Sequence, residues 1–279
     1  MCAATARVIR RNGALYEWTA FALQVLIAVS VELGDDLGRG LFSQHGSPEG
    51  IHNAQSIALF EAAHGFWFEP AWQLYFEQTH RVLNFVITWQ DVVPVMNTIY
   101  VLGHVCVTLG VALWVYFYRR RYFVLLRNVV IITNVFALFV YESFPVAPPR
   151  MTTGLFYNGH QFVFQDTVHS IVTTGSKVIG SNAAYNEFSA MPSVHMAWAM
   201  IAGGALLFLA RPYAARVAGA IYPVLMLIAV VVTGNHYLLD VVGAVGVVAL
   251  AFPVALFIEV VRGRAEWPLR FRSARRALS

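Results

Sequence analysis

Residues 233–258 read TGNHYLLDVVGAVGVVALAFPVALFI, an apolar run that carries a histidine and an aspartate close to its beginning. The run is longer than the ~20 residues that a helix needs to cross a bilayer. Its one charged residue, Asp240, comes four residues after His236. An ionisable side chain inside a bilayer costs roughly 3 kcal/mol or more and usually marks a pathway or a functional site. The run therefore predicts a transmembrane helix with a functional site where the helix begins.

The composition extends this prediction to the whole chain. Of the 279 residues, 58% are hydrophobic and 12% are charged, whereas soluble domains average about 25% charged residues. The apolar residues fall into blocks of membrane-spanning length, so we predict an all-α integral membrane protein that forms a single domain over residues 1–279. Six transmembrane helices are predicted, over residues 18–31, 92–118, 122–141, 191–210, 217–234 and 237–258. Residues 34–91 form a predicted extracytoplasmic segment with interfacial helices, and residues 92–261 form the predicted catalytic core.

The cysteines and the net charge exclude several classes of protein. Cys2 and Cys106 are the two cysteines, and they provide neither a disulfide framework nor a set of four metal ligands. The formal net charge of +4 arises from arginines placed between the spans, so no nucleic-acid partner is expected. The first apolar stretch runs on into an acidic turn, which is not the pattern of a cleavable signal peptide.

The placement of arginine predicts the orientation. Most arginines lie before span one, between spans two and three, between spans four and five, and after span six. These positions share one side of the membrane if six spans alternate, and by the positive-inside rule that side is cytoplasmic. Both termini of this plasma-membrane protein are therefore predicted to lie in the cytoplasm.

Three short polar runs meet on the opposite, outer side in this topology. They are Phe144-Pro-Val-Ala-Pro-Pro-Arg150, Met191-Pro-Ser-Val-His195 and Thr233-Gly-Asn-His-Tyr-Leu-Leu-Asp240. None of the arginines outside these runs depends on where the runs lie, so the convergence is independent of the charge asymmetry. It therefore indicates one shared site that faces the exterior.

The residue types in these runs suit the binding and transfer of phosphate. A carboxylate four residues after a histidine can fix its tautomer from the same helix face, which predicts that His236 is a nucleophile oriented by Asp240. Ser193 follows a proline at a predicted helix start, where free backbone N–H groups favour an anion. His195 lies two residues further on, and in its protonated form it could donate to a leaving alkoxide. The Arg150 guanidinium can bind phosphate oxygens in bidentate fashion. Each residue also has a structural alternative. His236 and Asp240 could form a pair that only joins helices, His195 could be an interior histidine with its hydrogen bonds satisfied, and Arg150 could bind lipid head groups at the interface.

The order Pro-Pro-Arg, Pro-Ser-x-His and His-x-x-x-Asp resembles the three signatures of the type 2 phosphatidic acid phosphatase superfamily. The resemblance extends over residues 97–246 and implies a six-helix membrane core. It implies that His236 attacks phosphorus with Asp240 as its orienting group, and that His195 protonates the leaving group. It further implies that Arg150 and Ser193 hold the phosphate, and that neither a cofactor nor a metal ion takes part.

Two departures from the superfamily pattern narrow the resemblance. Ser143 stands where the pattern has a lysine, and Ala229-Val230 stand where it has Ser-Arg. In this respect the chain is more similar to the inositol phosphorylceramide synthase branch and its bacterial relatives, which pass a phosphoinositol head group to a lipid alcohol. The similarity implies a phospholipid or polyprenyl phosphate substrate and a polyol acceptor such as inositol. The alternative acceptor is water, which would make the protein a lipid phosphate phosphatase.

Further polar residues are candidate contacts for a substrate head group. The candidates are Asp166, His169, Tyr185 and Asn186 in the outer loop, and His104, which is predicted about 15 Å into span two. For His104 the alternatives are a bond to a neighbouring helix and a role in proton relay.

Residues 55–90 are rich in aromatic side chains, with Glu61, Glu69 and Glu77 interleaved. The pattern predicts helices in the membrane interface that act as an anchor or, alternatively, as a lateral gate for a lipid. Two other functions remain open from the residues alone. One is a zinc site built from His195, His236, Asp240 and His169. The other is a non-catalytic lipid-binding scaffold.

Overall fold

Helices make up most of the structure. The computed structural model describes residues 47–82, 85–152, 154–167 and 187–263. The α-helices are α1 (Ser47–Ala63), α2 (Glu69–Glu77), α3 (Trp89–Thr98), α4 (His104–Tyr118), α5 (Arg120–Ser143), α6 (Val194–Leu209), α7 (Tyr213–Val232) and α8 (Leu238–Val261). A π-helical turn occupies Ile99–Gly103, and a 3-10 turn occupies Pro149–Met151. Two antiparallel hairpins, absent from the all-α prediction, pair β1 (His80–Val82) with β2 (Phe85–Ile87) and β3 (Leu155–Tyr157) with β4 (His160–Phe162).

Within the described residues, four helical stretches are long and apolar enough to cross a membrane, as expected of an integral membrane protein. They are Trp89–Tyr118, in which α3, the π-helical turn and α4 are continuous, Arg120–Ser143, Tyr213–Val232 and Leu238–Val261. Helix α6 is also apolar but has only 16 residues. The predicted first span, residues 18–31, lies outside the described residues, so the count of six spans stays a prediction.

Capping residues explain where the helices depart from the predicted spans. Helix α3 begins three residues before the predicted span two because Thr88 and Asp91 form a capping box, in which the Thr88 N–H donates to Asp91 Oδ2 at 2.9 Å. Helix α6 begins three residues after the predicted start of span four. There the Ser193 hydroxyl acts as the N-cap and accepts a hydrogen bond from the Met196 N–H at 3.3 Å.

Gly203 and Gly219 allow α6 and α7 to approach closely. A Cβ atom built on Gly203 would lie 2.5 Å from the Gly219 carbonyl oxygen, and one on Gly219 would lie 2.6 Å from the Gly203 carbonyl oxygen. Such backbone contact between membrane helices requires residues without bulky side chains. It places α6, which carries His195 in its first turn, directly against α7, which leads into the third polar run.

The two ends of α6 have opposite character. The second polar run lies at its N-terminus, whereas arginines bind its last carbonyl groups. Arg119 Nε donates to the Leu209 carbonyl at 2.9 Å, and Arg216 Nε donates to the Leu207 carbonyl at 3.1 Å. Cations are favourable at a helix C-terminus. Two arginines assigned to the cytoplasm by the sequence therefore lie at the end of α6 that is opposite to the polar runs.

Helices α1 and α2 combine exposed aromatic side chains with buried carboxyl groups. Phe60 of α1, Tyr75 of α2 and Phe68 just before α2 are exposed, and their contact with the membrane interface stays a prediction. Glu61 and Glu69 are fully buried. Both side chains point toward the N-terminus of α8 and bind its backbone.

Candidate active site

Backbone hydrogen bonds hold the three polar runs together. The Arg150 N–H donates to the Gly234 carbonyl at 3.0 Å, which joins the first run to the third. The Ser193 N–H donates to the Asp240 carbonyl at 3.1 Å, which joins the second run to the third. The structure thus brings Arg150, Ser193, His195, His236 and Asp240 into one region.

The His236 ring is fixed through its Nδ1 atom. This atom lies 2.9 Å from the Ala190 carbonyl oxygen and 3.3 Å from Asp240 Oδ2. Because both neighbours are hydrogen-bond acceptors, they favour a proton on Nδ1. The lone pair of a neutral His236 therefore resides on Nε2, and the ring itself lines a cavity.

His236 is not part of α8, which corrects the prediction that it shares a helix face with Asp240. Helix α7 ends just before Gly234, which has φ +67°, a conformation that glycine adopts readily. The His236 N–H then donates to the Val230 carbonyl at 3.2 Å, so His236 belongs to the turn between α7 and α8. Asp240 nevertheless reaches back to the turn, where its Oδ2 accepts a hydrogen bond from the Tyr237 N–H at 2.8 Å.

His195 is held between aromatic rings in the first turn of α6. Its ring stacks on Tyr100, with centroids 4.1 Å apart and planes at 18°, and its centroid lies 4.3 Å from that of His104. The ring centroids of His195 and His236 are 6.0 Å apart. The two imidazoles are therefore close enough to contact one phosphoryl group from different sides.

Tyr100 is a site residue that the sequence did not predict. It belongs to the π-helical turn, and it lines the cavity together with both histidines. The available signal was its position four residues before His104 in an apolar span. His104 packs between His195 and Trp198, and its ring centroid lies 4.7 Å from that of Trp198. Its predicted contact with a head group stays a prediction.

Arg150 has two side-chain partners close to the cavity. Its Nη1 donates to Asn235 Oδ1, and Asn235 in turn donates from Nδ2 to Thr233 Oγ1 at 2.7 Å. Its Nε lies 3.6 Å from Asp166 Oδ2. Asn235, which the sequence did not predict, orients the guanidinium, and the predicted head-group residue Asp166 is its counter-ion. The other predicted head-group residues, His169, Tyr185 and Asn186, lie outside the described residues.

Ser193 is used differently from the other residues of the runs. It is fully buried, and its hydroxyl caps α6 as described above. It is not among the residues that line the cavity. Its predicted contact with a substrate phosphate stays a prediction.

The cavity contains one cationic side chain and one carboxylate among the described residues. Arg150 and Glu187 line it together with Tyr100, His195 and His236. Ser143, which stands where a lysine is usual, is turned away, and its hydroxyl donates to the Phe139 carbonyl at 2.8 Å.

The positions usually held by Ser-Arg also supply no polar group to the cavity. Ala229 and Val230 are fully buried in the apolar core. Among the described residues, Arg150 is therefore the one lysine or arginine that lines the cavity.

Comparison with known proteins gives one result. A family model described as the PAP2 superfamily matches residues 55–254, which include all three polar runs and most of α1. No curated protein and no solved structure matches the chain significantly.

Proposed function

Because the chain belongs to the PAP2 superfamily, we propose that it is a membrane phosphotransferase that works through a phosphohistidine at His236. The superfamily acts on lipid phosphates in membranes as phosphatases or phosphotransferases. The transferred group in our proposal is phosphoinositol or a related phosphoalcohol, and the reaction takes place at the outer membrane face. The observation that carries the proposal is the His236 ring, which is held at Nδ1 and lines a cavity shared with His195 and Arg150.

In the first step the lone pair on His236 Nε2 attacks phosphorus and forms a P–N bond. The P–O bond to the leaving group breaks, and the protonated His195 gives its proton to the departing alkoxide. The imidazole cation that forms on His236 is stabilised by Asp240, whose Oδ2 lies 3.3 Å from Nδ1. Arg150 balances the charge on the phosphoryl oxygens, a role to which a guanidinium is suited.

The second step reverses these roles with a new oxygen nucleophile. The neutral His195 takes the proton from the hydroxyl of the acceptor, and the acceptor oxygen attacks phosphorus. The P–N bond breaks, and the electron pair returns to His236 Nε2. The chemistry is the same whether the acceptor is a polyol or water, so the acceptor must be inferred from the rest of the cavity.

The charges that line the cavity favour a phosphodiester over a phosphomonoester. A diester carries one negative charge, and a monoester carries up to two at neutral pH. Arg150 is the one lysine or arginine among the described lining residues, and Glu187 adds a negative charge when ionised. Glu187 can also accept a hydrogen bond from the hydroxyl of an acceptor. A hydroxylated acceptor and a phosphodiester donor therefore fit this cavity better than water and a phosphomonoester.

The proposal is tested with purified protein in lipid nanodiscs. Labelled phosphatidylinositol, phosphatidic acid and polyprenyl phosphate are each supplied with and without free inositol. A new labelled phosphodiester lipid is the expected product. Release of inorganic phosphate from the monoesters, without any new lipid, would assign water as the acceptor.

Glu187→Gln should change substrate preference rather than overall activity. The amide keeps an oxygen that accepts hydrogen bonds but removes one negative charge beside the phosphate. We expect the ratio of monoester to diester turnover to rise about tenfold, an estimate for one partly screened like-charge contact. The measurement is kcat/KM for both substrate types, and Glu49→Gln on the exposed start of α1 is the control. An unchanged ratio would show that the charge of Glu187 does not contribute to the preference for a phosphodiester.

Reporter fusions test the side of the membrane on which the site lies. Fusions after Arg121 and Arg216 should report the cytoplasm, and a reporter inserted near Gln165 should report the exterior. The physical basis is the retention of arginine-rich loops on the cytoplasmic side. The opposite pattern would place the site on the inner face and reject a substrate from the outer leaflet.

A further inference from the structure

The first turn of α8 is capped by three carboxyl groups from three different helices. The Tyr237 N–H donates to Asp240 Oδ2 at 2.8 Å, within α8 itself. The Leu238 N–H donates to Glu69 Oε1 at 2.6 Å, and the Leu239 N–H donates to Glu61 Oε1 at 2.8 Å. The first N–H groups of a helix have no partner within the helix, and anions are favourable there. Two of the three caps therefore come from the segment before the membrane core, 169 and 178 residues away in the chain.

The two glutamates also contact one another. Their carboxyl groups bind the N–H groups of two consecutive residues, Leu238 and Leu239, and both side chains are fully buried. The second oxygen of each, Oε2, has no donor group among the described residues. Two carboxylates cannot both be ionised at such a contact without strong repulsion, and a proton shared between them supplies the missing donor.

We propose that Glu61 and Glu69 form a carboxyl pair that holds one proton, caps α8 and thereby positions His236 and Asp240. In this pair one carboxyl group carries the proton and donates to the other. Both remain hydrogen-bond acceptors for the backbone of α8. They are positioning residues, since neither is among the residues that line the cavity.

The connection to the reaction follows from the chain itself. Asp240 lies in the first turn of α8, and His236 immediately precedes Tyr237. A shift of the first turn would therefore change the position of both groups relative to His195, which belongs to α6. Misplacement of reacting groups by about 1 Å can reduce a rate by about 100-fold.

The caps also decide where a substrate phosphate can bind. A helix N-terminus is a natural anion site, but the N–H groups of the N-cap residue Tyr237 and of the first two residues of α8 are already bound to carboxyl oxygens. A phosphate is therefore directed to Arg150 and the start of α6. The pair acts in the same way whether the acceptor is water or a polyol, so the inference does not depend on the proposed transferase activity.

Amide substitutions test the shared proton directly. In Glu61→Gln or Glu69→Gln, the amide oxygen still accepts the α8 N–H, and the amide nitrogen donates to the remaining carboxylate. Each single variant should keep at least half of the wild-type rate of phosphoenzyme formation. In the double variant two amide nitrogens face one another, and no acceptor lies between them. We expect the double variant to lose about 10- to 100-fold in kcat, with KM changing less.

The outcomes distinguish a shared proton from two ionised carboxylates and from a bound metal ion. A loss in each single amide variant as large as in the double variant would show that both carboxylates act ionised, and would overturn the proposal. Sensitivity of the wild type to chelators, restored by a divalent cation, would replace the proton by a metal ion and would also overturn it. Glu77→Gln, at the last residue of α2, is the matched control because Glu77 makes no contact with α8 among the described bonds.

Thermal unfolding in detergent gives a readout that needs no substrate, so it stands even if the proposed function fails. Burial raises the pKa of both glutamates above the ordinary value. The ionisable groups that face the pair are Asp240 of α8 and its N-cap residue Tyr237, with His236 beyond Asp240. A raised pKa gives stability that is present at low pH and is lost as pH rises through the folded-state value. The wild type should therefore lose thermal stability at alkaline pH more steeply than Glu61→Gln, and equal slopes would contradict a proton on the pair.

Discussion

His236→Ala should abolish both turnover and the formation of a labelled phosphoenzyme. The variant removes the atom that forms the P–N bond, and loss of a catalytic nucleophile typically costs roughly 10⁴-fold or more in kcat. The side chain is held by two acceptors at Nδ1, so its position in the wild type is well defined. The measurement is steady-state turnover together with trapping of protein-bound label from a phosphorus-labelled lipid under alkaline denaturing conditions, in which a P–N bond to histidine survives.

A second histidine provides the control for this experiment. His160 lies in the exposed β4 strand, away from the cavity, so His160→Ala should behave as the wild type. A phosphoenzyme that persists in His236→Ala would place the covalent bond on another residue. In that case the assignment of the nucleophile would be rejected.

His195→Ala should have an effect that depends on the leaving group. If His195 supplies a proton to a departing alkoxide, the variant should lose about 10²–10⁴-fold in kcat with a natural lipid substrate. A nitrophenyl ester releases nitrophenolate, a stable anion that needs no proton. Turnover of this substrate should therefore be largely spared. The measurement is the ratio of kcat/KM for the two substrates in the wild type and in the variant.

Asp240→Asn supplies the contrast for His195→Ala. Because Asp240 contacts the nucleophile and not the leaving group, its variant should be slow on both substrates. Equal losses on both substrates in His195→Ala would assign that residue to binding or to structure. The stacking of His195 on Tyr100 makes such a structural contribution measurable through Tyr100→Phe, which keeps the ring.

The parts of the site that the sequence predicts are those set by local spacing. Arg150, His195, His236 and Asp240 lie in short runs, and the order of the apolar spans places these runs at a common end. The contact between His236 and Asp240 is confirmed, although the turn at Gly234 replaces the helical face that was predicted to create it. The PAP2 superfamily match confirms the resemblance at superfamily level, and the inositol phosphorylceramide synthase-like branch stays a prediction.

The parts that sequence reasoning missed depend on contacts between distant segments. Glu61 and Glu69 look like polar residues of an interfacial helix until α8 is placed against them. Asn235 looks like a turn residue, and its amide is recognised as the partner of Arg150 only when residues 150 and 235 are adjacent. Helical periodicity cannot show such pairings, because it reports which face of a helix is apolar and not which segment covers that face.

The π-helical turn at Ile99–Gly103 means that the number of residues in the helix Trp89–Tyr118 determines how the side chains before and after the turn are oriented. A π-helical turn contains one residue more than an α-helical turn. Removing one residue here would rotate everything after the turn by about 100° relative to everything before it. Tyr222 donates to the Gly103 carbonyl at 3.0 Å from α7, and Asn97 donates to the Thr167 carbonyl at 3.0 Å before the turn. These two hydrogen bonds cannot both be kept after such a deletion, because the side chains on either side of the turn would no longer point in their original relative directions. This helix should therefore tolerate substitutions far better than insertions or deletions.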